Sequence, residues 1–406
     1  MRSRRGALPV VLSLALVGSL LACAPTAAPT GSAARSGAPS GAAPSAPGTG
    51  AAGSSATAAT AAQAGAAAAT TVSPALQAVI DGARKEGSLS FIWGEGTFGG
   101  TDGVREIAAG LNARYGLNLD VRFTPGPAMP TVAARVLEEY QAGRPASTDL
   151  VVGYANHMYT LMQGGALAAV DWASWAPDVQ EPRLLAADGG AVTFESSVQG
   201  ITYNSSRVAP ADVPRSMEDL LKPQYKNRLA STPYASGFDR LATPEMWGEA
   251  RTLEYTAKLA DQVAGLIRCN EKDRLLSGEF DLFALDCSHN DAFAMRARGL
   301  PIDFQTASDA PFILLLYMGV PKNAPHPNAA RLWVDYVLSR EGQDTLDARE
   351  FSDSHLLPGS KMAPIVAKMQ EGDGKLLIVD VNFYQTHDEA LLTRTLTQIQ
   401  RIIQKQ

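Results

Sequence analysis

Predicted strands and helices alternate through residues 75–153, and this alternation limits the possible folds more than any other feature of the sequence. Short apolar runs, typical of buried strands, alternate with longer stretches whose apolar side chains recur at helical spacing. Turns that contain glycine separate them, as at Gly87 and Gly116. This βαβαβ order predicts a parallel sheet covered by helices on both faces, so we expect an α/β fold with mainly parallel sheets. In chain order the predicted elements are helix 75–86, strand 89–93, helix 102–115, strand 119–123, helix 131–140 and strand 149–153.

The carboxyl ends of these strands indicate where a ligand binds. In parallel α/β sheets, ligands lie where the loops after the strands converge with the N-termini of the following helices. The loops after Trp93 and Gly153 are therefore candidate ligand loops. A later predicted strand, 282–285, leads to His289 and Asn290, which are further candidate contacts.

The N-terminus is predicted to be a lipoprotein signal peptide. Arg2, Arg4 and Arg5 precede an apolar stretch, Leu8–Leu21, which suits a signal peptide and is short for a membrane-spanning helix. The stretch leads into Leu-Leu-Ala-Cys, which resembles a bacterial lipobox with Cys23 as the lipidated residue. The alternative is an ordinary secretory signal in which Cys23 has no role. The lipobox implies an exported chain, anchored on the outer face of the cytoplasmic membrane, in the periplasm or at the cell surface.

Residues 24–72 form a predicted linker between the signal peptide and the globular part. They are almost entirely Ala, Gly, Ser, Thr and Pro, and Arg35 is the only charged side chain between Cys23 and Asp81. Such a segment has too little large apolar surface to offset the entropy of ordering it, so we expect it to be disordered. A linker of this kind lets a tethered globular part move away from the membrane.

Residues 73–406 are too many for one small domain and suit two lobes. Without the three arginines of the signal peptide, the formal net charge changes from −6 to −9, and no Lys/Arg cluster is present, so nucleic acid is not an expected partner. Apart from Cys23, the cysteines are Cys269 and Cys287. Such a pair can form a disulfide in an oxidising compartment, but the sequence leaves bonded and free thiols equally open. Their spacing argues against a redox centre or a zinc site.

The motifs of common enzyme classes are absent from the sequence. It contains no Gly-x-Ser-x-Gly, His-Glu-x-x-His or Gly-x-x-x-x-Gly-Lys-Ser/Thr segment. Residues 94–99 have the Gly-x-Gly-x-x-Gly spacing of a dinucleotide-binding turn, but a single match in an exported chain does not indicate a nicotinamide cofactor. We therefore expect neither an enzyme nor a cofactor, and a tethered exported hydrolase is the weaker alternative.

Segments along residues 149–343 match the pattern of one known family. Gly200–Asn204, followed by Arg207 and Val208, is similar to the stretch that crosses between the lobes in that family. The other matching segments are 149–165, 216–221, 225–229, 232–237, 276–280 and 325–343. Together, in this order, they resemble the bacterial extracellular solute-binding proteins of ABC importers. The closest resemblance is to the subgroup that includes ferric-iron, thiamine and phosphonate binders.

The resemblance implies a two-lobed, periplasmic-binding-protein-like fold of type 2, with the ligand in a cleft that closes by hinge motion. It assigns residues 73–204 and 311–338 to lobe 1, and 205–310 and 339–406 to lobe 2. The implied function is the substrate-binding component of an ABC importer, which captures a small solute and delivers it to a membrane permease. We expect a monomer whose partners are the small-molecule ligand and the permease, without catalytic residues or a bound metal.

Eleven residues are predicted to contact the ligand. Ser236 and Gly237 occupy the place of the small-residue ligand loop of the family; if they begin a helix, their backbone amides favour an anion, and the alternative is an ordinary turn. Tyr203 is either a core residue of the hinge or a ligand contact. Asn156 is also a predicted helix cap, and Asn328 is the predicted cap of the helix that follows it. The complete set is Trp93, Glu95, Thr97, Tyr154, Asn156, Tyr203, Ser236, Gly237, His289, Asn290 and Tyr317.

The expected ligand is a small organic anion with a carboxylate, phosphate, phosphonate or sulfonate group. The iron-binding relatives generally have two consecutive tyrosines, and this chain has no Tyr-Tyr pair. An iron site would need other groups to converge, namely Tyr154, His157, Tyr234 and Tyr317. A cationic ligand such as thiamine or a polyamine is a further alternative, because the candidate loops contain Glu95, Asp102 and Asp291.

Overall fold

The structure is a computed structural model that describes residues 72–94, 96–371 and 375–405. The predicted signal peptide with Cys23, almost all of the predicted linker and Glu95 lie outside these residues. The described residues fall within one compact unit. No helix among them is long and apolar enough to cross a membrane.

Twelve α-helices and eleven β-strands follow one another along the described part of the chain. The helices are α1 Pro74–Glu86, α2 Gly100–Tyr115, α3 Met129–Gln141, α4 Ala155–Gln163, α5 Glu249–Gln262, α6 Asp273–Leu276, α7 Asn290–Ala297, α8 Pro327–Leu338, α9 Arg340–Glu350, α10 Ala363–Gln370, α11 Val381–Thr386 and α12 Glu389–Ile403. The strands are β1 Ser88–Trp93, β2 Asp120–Pro125, β3 Val151–Tyr154, β4 Val192–Val198, β5 Gly200–Asn204, β6 Leu229–Ser231, β7 Val263–Leu266, β8 Leu282–Ala284, β9 Ile302–Thr306, β10 Phe312–Gly319 and β11 Leu377–Val379. Two short 3₁₀ helices also bear on the site, Thr97–Gly99 and Phe238–Ala242.

The first six elements lie close to their predicted bounds, and α1 shows why the sequence defines them well. The side chain of Ser73 caps α1 by accepting a hydrogen bond from the backbone N–H of Leu76. Pro74 occupies the first turn, where its missing N–H is tolerated. Gly87 ends the helix in the left-handed conformation, with φ of 70°.

Two predicted helix caps are wrong. Tyr154, not Asn156, precedes α4, because β3 runs directly into the helix. His326, not Asn328, precedes α8. The cap of α8 comes from Glu86, at the end of α1. The Glu86 carboxylate accepts hydrogen bonds from the backbone N–H of Asn328 at 3.1 Å and from that of Ala329 at 2.8 Å.

Lobe 1 contains the sheet formed by β3, β4, β10 and β11, together with the β1–β2 pair. The long strand β10 pairs antiparallel with β3 and β4 and parallel with β11. β1 pairs parallel with β2, and a parallel bridge from Phe91 to Leu150 links β1 to the start of β3. The predicted return of the chain after residue 311 thus supplies β10, the central strand of this sheet.

Lobe 2 contains a five-stranded sheet in the order β7-β6-β8-β5-β9. β6 pairs parallel with β7 and β8, whereas β5 pairs antiparallel with β8 and β9. Both lobes therefore have mixed sheets flanked by helices, with more antiparallel pairing than the βαβ alternation alone predicts. The difference arises from the strands that enter each sheet from the other lobe: β5 is antiparallel to β8 and β9, and β10 is antiparallel to β3 and β4.

Aromatic side chains fill the core of lobe 1 and include the first candidate ligand loop. Trp93, at the end of β1, is completely buried, and its ring centroid lies 5.1 Å from that of Phe98. Phe98 takes a left-handed φ of 59° in the 3₁₀ turn after β1 and stacks on Phe194 at 4.9 Å. Trp333 of α8 packs edge-on against Phe98 at 5.7 Å. The loop after β1 is thus anchored in the core.

The chain crosses between the two lobes at three places. Gln199 separates β4 from β5, and residues 307–311 separate β9 from β10. The third crossing, residues 387–388, lies between α11, which packs against α4, and α12, which packs against α5. We therefore define lobe 1 as residues 72–198 and 312–386, and lobe 2 as residues 200–306 and 389–405.

Two assignments made from the sequence differ from this division. Residues 200–204 form β5 of lobe 2, although the sequence assigned them to lobe 1. Residues 339–386, which contain α9, α10, β11 and α11, were assigned to lobe 2 but fall in lobe 1 as defined here. Helix α9 packs against α2, where Arg349 forms an ion pair with Glu106 at 2.7 Å, and β11 pairs with β10.

Candidate ligand-binding site

A cavity of about 220 Å³ lies between the two lobes. Lobe 1 contributes the end of β3, the first turn of α4, β10, the end of β11, and α11. Lobe 2 contributes the turn before the 3₁₀ helix 238–242, this helix itself, and the segment after β8. The lining residues are Tyr154, Ala155, Asn156, His157, Ser236, Gly237, Arg240, Cys287, Leu314, Val379 and Tyr384.

The lobe 1 wall presents the N-terminus of α4 to the cavity. Backbone N–H groups in the first turn of a helix have no intrahelical partners, and no side chain caps this helix. The helix dipole adds partial positive charge at the same end. Ala155, Asn156 and His157 of this turn all line the cavity, so its amide groups are available to an anionic ligand.

Two ionisable side chains of this wall are neutral near pH 7. Burial, with the carboxyl of Glu195 as a further cause, raises the pKa of Tyr154 to about 12. Burial and the charge of Arg240 lower the pKa of His157 to about 4. The imidazole lies over Gly153, where a Cβ atom would come within 2.9 Å of Nδ1, so a glycine leaves the room that the ring needs.

Arg240 supplies a positive charge to the lobe 2 wall. One terminal nitrogen donates to both carboxylate oxygens of Asp239, at 2.6 and 2.7 Å, and the other donates to the hydroxyl of Tyr384. Nε of Arg240 is buried and has no partner among the described atoms. Burial lowers the pKa of Arg240, but Asp239 and Tyr384 raise it by more, so the guanidinium stays charged.

Ser236 and Gly237 form the turn that leads to Arg240. Their φ angles are 48° and 91°, so both are in the left-handed region. The Ser236 hydroxyl lies 3.1 Å from that of Thr232 and 3.6 Å from the sulfur of Cys287, which is bonded to Cys269 in a disulfide. The helix that follows is a single 3₁₀ segment rather than the α-helix that the sequence suggested.

Four of the predicted ligand contacts line this cavity, namely Tyr154, Asn156, Ser236 and Gly237. They come from the two loops that the strand-end rule and the family resemblance indicated.

Four other predicted contacts lie elsewhere in the described structure. Trp93 and Thr97 are buried where the aromatic core holds the loop after β1. Tyr203 pairs with Leu282 and belongs to the β5 side of the lobe 2 core. Tyr317 is buried in the core under β10, facing away from the cavity lining. Glu95 is not described.

His289, also a predicted contact, instead joins the two lobes at the first crossing. Its Nδ1 accepts a hydrogen bond from the backbone N–H of Val198 at 3.3 Å, so Nε2 carries the ring hydrogen and donates to the carbonyl of Phe351 at 3.2 Å. Burial lowers the pKa of His289 to about 4, which keeps the ring neutral.

Asn290, the remaining predicted contact, forms a second bridge beside His289. Its side-chain amide donates to Oε1 of Glu195 at 3.3 Å and to the carbonyl of Glu350 at 2.8 Å. Burial raises the pKa of Glu195 to about 7, and burial together with Glu195 raises the pKa of Glu350 well above its ordinary value. The polar side chains of His289 and Asn290, in the segment after β8, therefore contact lobe 1 beside the first crossing. Within this segment, Cys287 is the residue that lines the cavity.

Sequence reasoning missed several residues that line the cavity. Leu314 and Val379 are apolar residues of β10 and β11 and carry no chemical signal in the sequence. Tyr384 reaches the site because α11 returns to α4, a tertiary arrangement with no local motif. Arg240 was detectable in principle, as a cation three residues after the small-residue turn.

The sequence profile of bacterial extracellular solute-binding proteins matches residues 147–387, more than half of the chain. The chain belongs to this family. It is accordingly a solute-binding component of an ABC transporter, and it is exported. Members of this family are transport proteins rather than enzymes. The partners of the chain are a small-molecule ligand and a membrane permease.

Solved structures of low sequence identity share the fold. The substrate-binding protein of an ABC transporter from Agrobacterium tumefaciens has a TM-score of 0.62 at 16% identity, over 79% of this chain and 96% of that one. Iron-bound HitA from Pseudomonas aeruginosa has a TM-score of 0.59 at 16% identity, over 78% and 99%. The spermidine/putrescine-binding protein PotD from Streptococcus pneumoniae has a TM-score of 0.56 at 12% identity, over 78% and 99%. No curated protein sequence matches the chain.

Proposed function

We propose that this solute-binding protein captures a small organic anion in the cavity between its lobes and delivers it to the permease. The single observation that carries the proposal is the position of Arg240, a cation with 15% of its side chain exposed, which lines the cavity from lobe 2 while the uncapped N-terminus of α4 lines it from lobe 1. Guanidinium and helix amide groups are both donors suited to carboxylate, phosphate, phosphonate or sulfonate oxygens. Because the two groups belong to different lobes, one anionic group between them favours closure.

The charges of the lining argue against a cationic ligand. Among the described residues that line the cavity, Arg240 is charged and no carboxylate is present. Of the acidic residues considered from the sequence, Glu95 lies outside the described residues, and the other two do not supply one. Asp102 is exposed and pairs with Arg105, and Asp291 is exposed and pairs with Lys272. Thiamine or a polyamine would therefore lack a counter-charge here.

Ferric iron is a second candidate, because two phenols line the same cavity. Tyr154, His157 and Tyr384 are all in the lining. Tyr234 and Tyr317, the other groups considered from the sequence, are not in the lining. No group of three His, Cys, Asp or Glu side chains that could hold a metal occurs in the part of the chain that the structure describes. Phenolate ligation would also require Tyr154 to lose its proton against its raised pKa.

A thermal-shift screen of the full-length chain tests the proposal. The panel contains methylphosphonate, phosphate, sulfonates, small carboxylates, spermidine, thiamine and ferric citrate. A ligand at a hundred times its dissociation constant stabilises the folded state by about 2.7 kcal/mol, which raises the melting temperature measurably. We expect one anion class to shift the melting temperature and the two cations to leave it unchanged. A ferric hit with a visible phenolate colour would favour iron, and chemical conversion of a hit would favour the hydrolase alternative.

We further propose that the mature chain is a monomer, tethered to the membrane by lipid on Cys23. The lipobox supports the anchor, and residues 24–72 supply a tether of low complexity that consists almost entirely of Ala, Gly, Ser, Thr and Pro. In a bacterial host, Cys23→Ser should move the protein from the membrane fraction to the soluble fraction. Retention of the variant in the membrane fraction would contradict the anchor, and light scattering of the detergent-solubilised protein would test the monomer.

A further inference from the structure

The disulfide of lobe 2 forms part of the ligand cavity. Cys287 lines the cavity, and its partner Cys269 lies 5.8 Å away between Cα atoms, in the loop after β7. Both cysteines are partly exposed, so neither sulfur is sealed in the core. The disulfide therefore joins a surface loop to the wall of the proposed binding site.

Hydrogen bonds connect this disulfide to the turn on the other side of the lobe 2 wall. The Tyr234 hydroxyl accepts from the backbone N–H of Cys269 at 3.2 Å and lies 3.4 Å from its sulfur. The Ser236 hydroxyl lies 3.6 Å from the sulfur of Cys287. The pair thus contacts both ends of the segment that presents Ser236 and Gly237 to the cavity.

The backbone of this wall is in an unfavourable conformation at two positions. Leu285 has φ of 51° and Ser236 has φ of 48°, a region that non-glycine residues adopt at a cost. The Thr232 hydroxyl lies 3.1 Å from the Leu285 carbonyl and 3.1 Å from the Ser236 hydroxyl, and so links the two strained residues. Strained residues persist where the surrounding contacts hold them, and such positions are frequent in ligand sites.

A buried ion pair holds the same two loops independently of the disulfide. Lys272 is 1% exposed, and its Nζ lies 2.9 Å from Oδ1 of Asp286 and 2.9 Å from the carbonyl of Cys269. Oδ2 of Asp286 accepts a hydrogen bond from the Thr202 hydroxyl at 2.5 Å. Loss of the disulfide alone therefore leaves the loops joined to each other and to β5.

We propose that the Cys269–Cys287 disulfide positions the lobe 2 wall of the cavity, so that ligand capture depends on the oxidation state of this pair. The proposal rests on the function proposed above for the cavity. The ion pair maintains the fold in both states, whereas the strained turn at Ser236 keeps its shape in the oxidised state. Reduction removes the sulfur contacts of Ser236 and Tyr234 and lets the turn relax away from the ligand.

The redox step is a thiol–disulfide exchange with a dithiol reductant. One thiolate of the dithiol attacks a sulfur of the pair, forms a mixed disulfide and releases the other cysteine as a thiolate, which takes up a proton. The second thiol of the reductant then displaces the remaining cysteine. Two electrons and two protons pass to the pair, which becomes two thiols, and the dithiol becomes a disulfide.

Hydrogen–deuterium exchange of the full-length chain, with and without dithiothreitol, tests the proposal without knowledge of the ligand. On reduction, we expect amide exchange in residues 232–240 and 285–291 to become at least about tenfold faster, as local opening predicts, while β3 and β10 are unchanged. Cys269→Ser/Cys287→Ser should show the fast exchange under both conditions. Unchanged exchange in 232–240 would overturn the proposal. So would a uniform increase along the chain, because the disulfide would then support the fold rather than the site.

Binding of methylphosphonate to the same samples forms the second arm. We expect its affinity for the reduced protein to be at least about tenfold lower, since an unpositioned wall must be ordered on binding. Equal affinity in both states would overturn the proposal. If methylphosphonate does not bind the oxidised protein, the phosphonate form of the proposed function fails, and the exchange arm still decides whether the disulfide positions the wall.

A pair of threonine variants separates positioning from general destabilisation. Thr232→Val removes the link between Leu285 and Ser236 but keeps the disulfide, and should also accelerate exchange in 232–240. Thr256→Val is the control, because this buried hydroxyl bonds only to the Thr252 carbonyl within α5. Equal exchange in 232–240 for the two variants would contradict the role of the strained wall.

Discussion

Arg240 combines two roles that a single substitution cannot separate. Its guanidinium neutralises Asp239, which is 2% exposed, and it also lines the cavity. A buried carboxylate without its cation is strongly unfavourable, so part of any loss in a single variant reflects the fold. The contribution of Arg240 to ligand binding can be measured separately only in a variant that also removes the charge of Asp239.

We therefore predict different effects for a single and a double variant. Arg240→Gln should lower the free energy of unfolding by about 3–5 kcal/mol, because Asp239 is left unpaired. Asp239→Asn/Arg240→Gln should recover most of this stability without recovering anion binding. Urea denaturation and titration with the anion found in the screen measure the two quantities.

The control for this pair is Arg251→Gln. Arg251 is half exposed and stacks on Trp247 at 4.6 Å, away from the cavity, so both quantities should stay close to wild type. Anion binding by the double variant at wild-type affinity would contradict the role assigned to Arg240.

Glu195 gives the stability a dependence on pH. Its pKa of about 7 in the folded protein exceeds its ordinary value of 4.5, so the folded state favours the protonated carboxyl. The protonated carboxyl of Glu195 makes its full contribution to the stability of the folded state below pH 4.5, and this contribution is lost as the pH rises through 7. The free energy of unfolding of the wild type should therefore fall as the pH rises, and Glu195→Gln should remove up to about 3 kcal/mol of this fall. Each pKa unit corresponds to about 1.4 kcal/mol.

The measurement is the free energy of unfolding of wild type and Glu195→Gln at pH 5 and pH 8. The buried histidines with lowered pKa contribute equally to both proteins, so the difference between them reports Glu195 together with its effect on the pKa of Glu350. Glu341→Gln, at an exposed position, should follow the wild type at both pH values. Parallel pH profiles for wild type and Glu195→Gln would show that the carboxyl does not titrate in this range.

At the scale of elements, the sequence predicted what local chemistry determines. Helix α1 has its cap, its proline and its terminal glycine within a few residues, and α1 to β3 lie close to their predicted bounds. The strand-end rule for β3 and the family resemblance for residues 232–237 indicated the two loops that line the cavity. The loop after β1 was predicted wrongly, because Phe98 packs into the aromatic core, and that packing depends on residues as distant as Trp333. Tyr384 was missed for the same reason.

The junction of β3 and α4 yields a prediction about one glycine. Gly153→Ala would place a Cβ atom 2.9 Å from Nδ1 of His157, closer than such contacts occur, so the ring must move. We expect anion affinity to fall by about tenfold, an energy of about 1.4 kcal/mol, because the first turn of α4 shifts with the ring. Gly96→Ala is the matched control. No atom lies within 4 Å of the added carbon there, so the loop after β1 should tolerate it without loss of binding.

For the whole molecule, we expect the two lobes to move relative to each other. The crossings at Gln199, 307–311 and 387–388 connect two separate sheets, and the cavity has walls from both lobes. A ligand that contacts both walls stabilises the closed arrangement. Small-angle scattering should therefore show a smaller radius of gyration when the anion is bound. Asp239→Asn/Arg240→Gln should show no such change, and an unchanged radius in the wild type would contradict closure.

The position of the bound ligand is the most direct test of the proposed function. The decisive measurement is a crystal structure of the protein with the tightest anion from the screen. We predict that the anionic group lies between the lobes, within about 3 Å of Arg240 and of the first-turn amides of α4, the distance of charge-assisted hydrogen bonds. An anion bound outside the cavity, or a metal held by Tyr154 and Tyr384 in its place, would contradict the account.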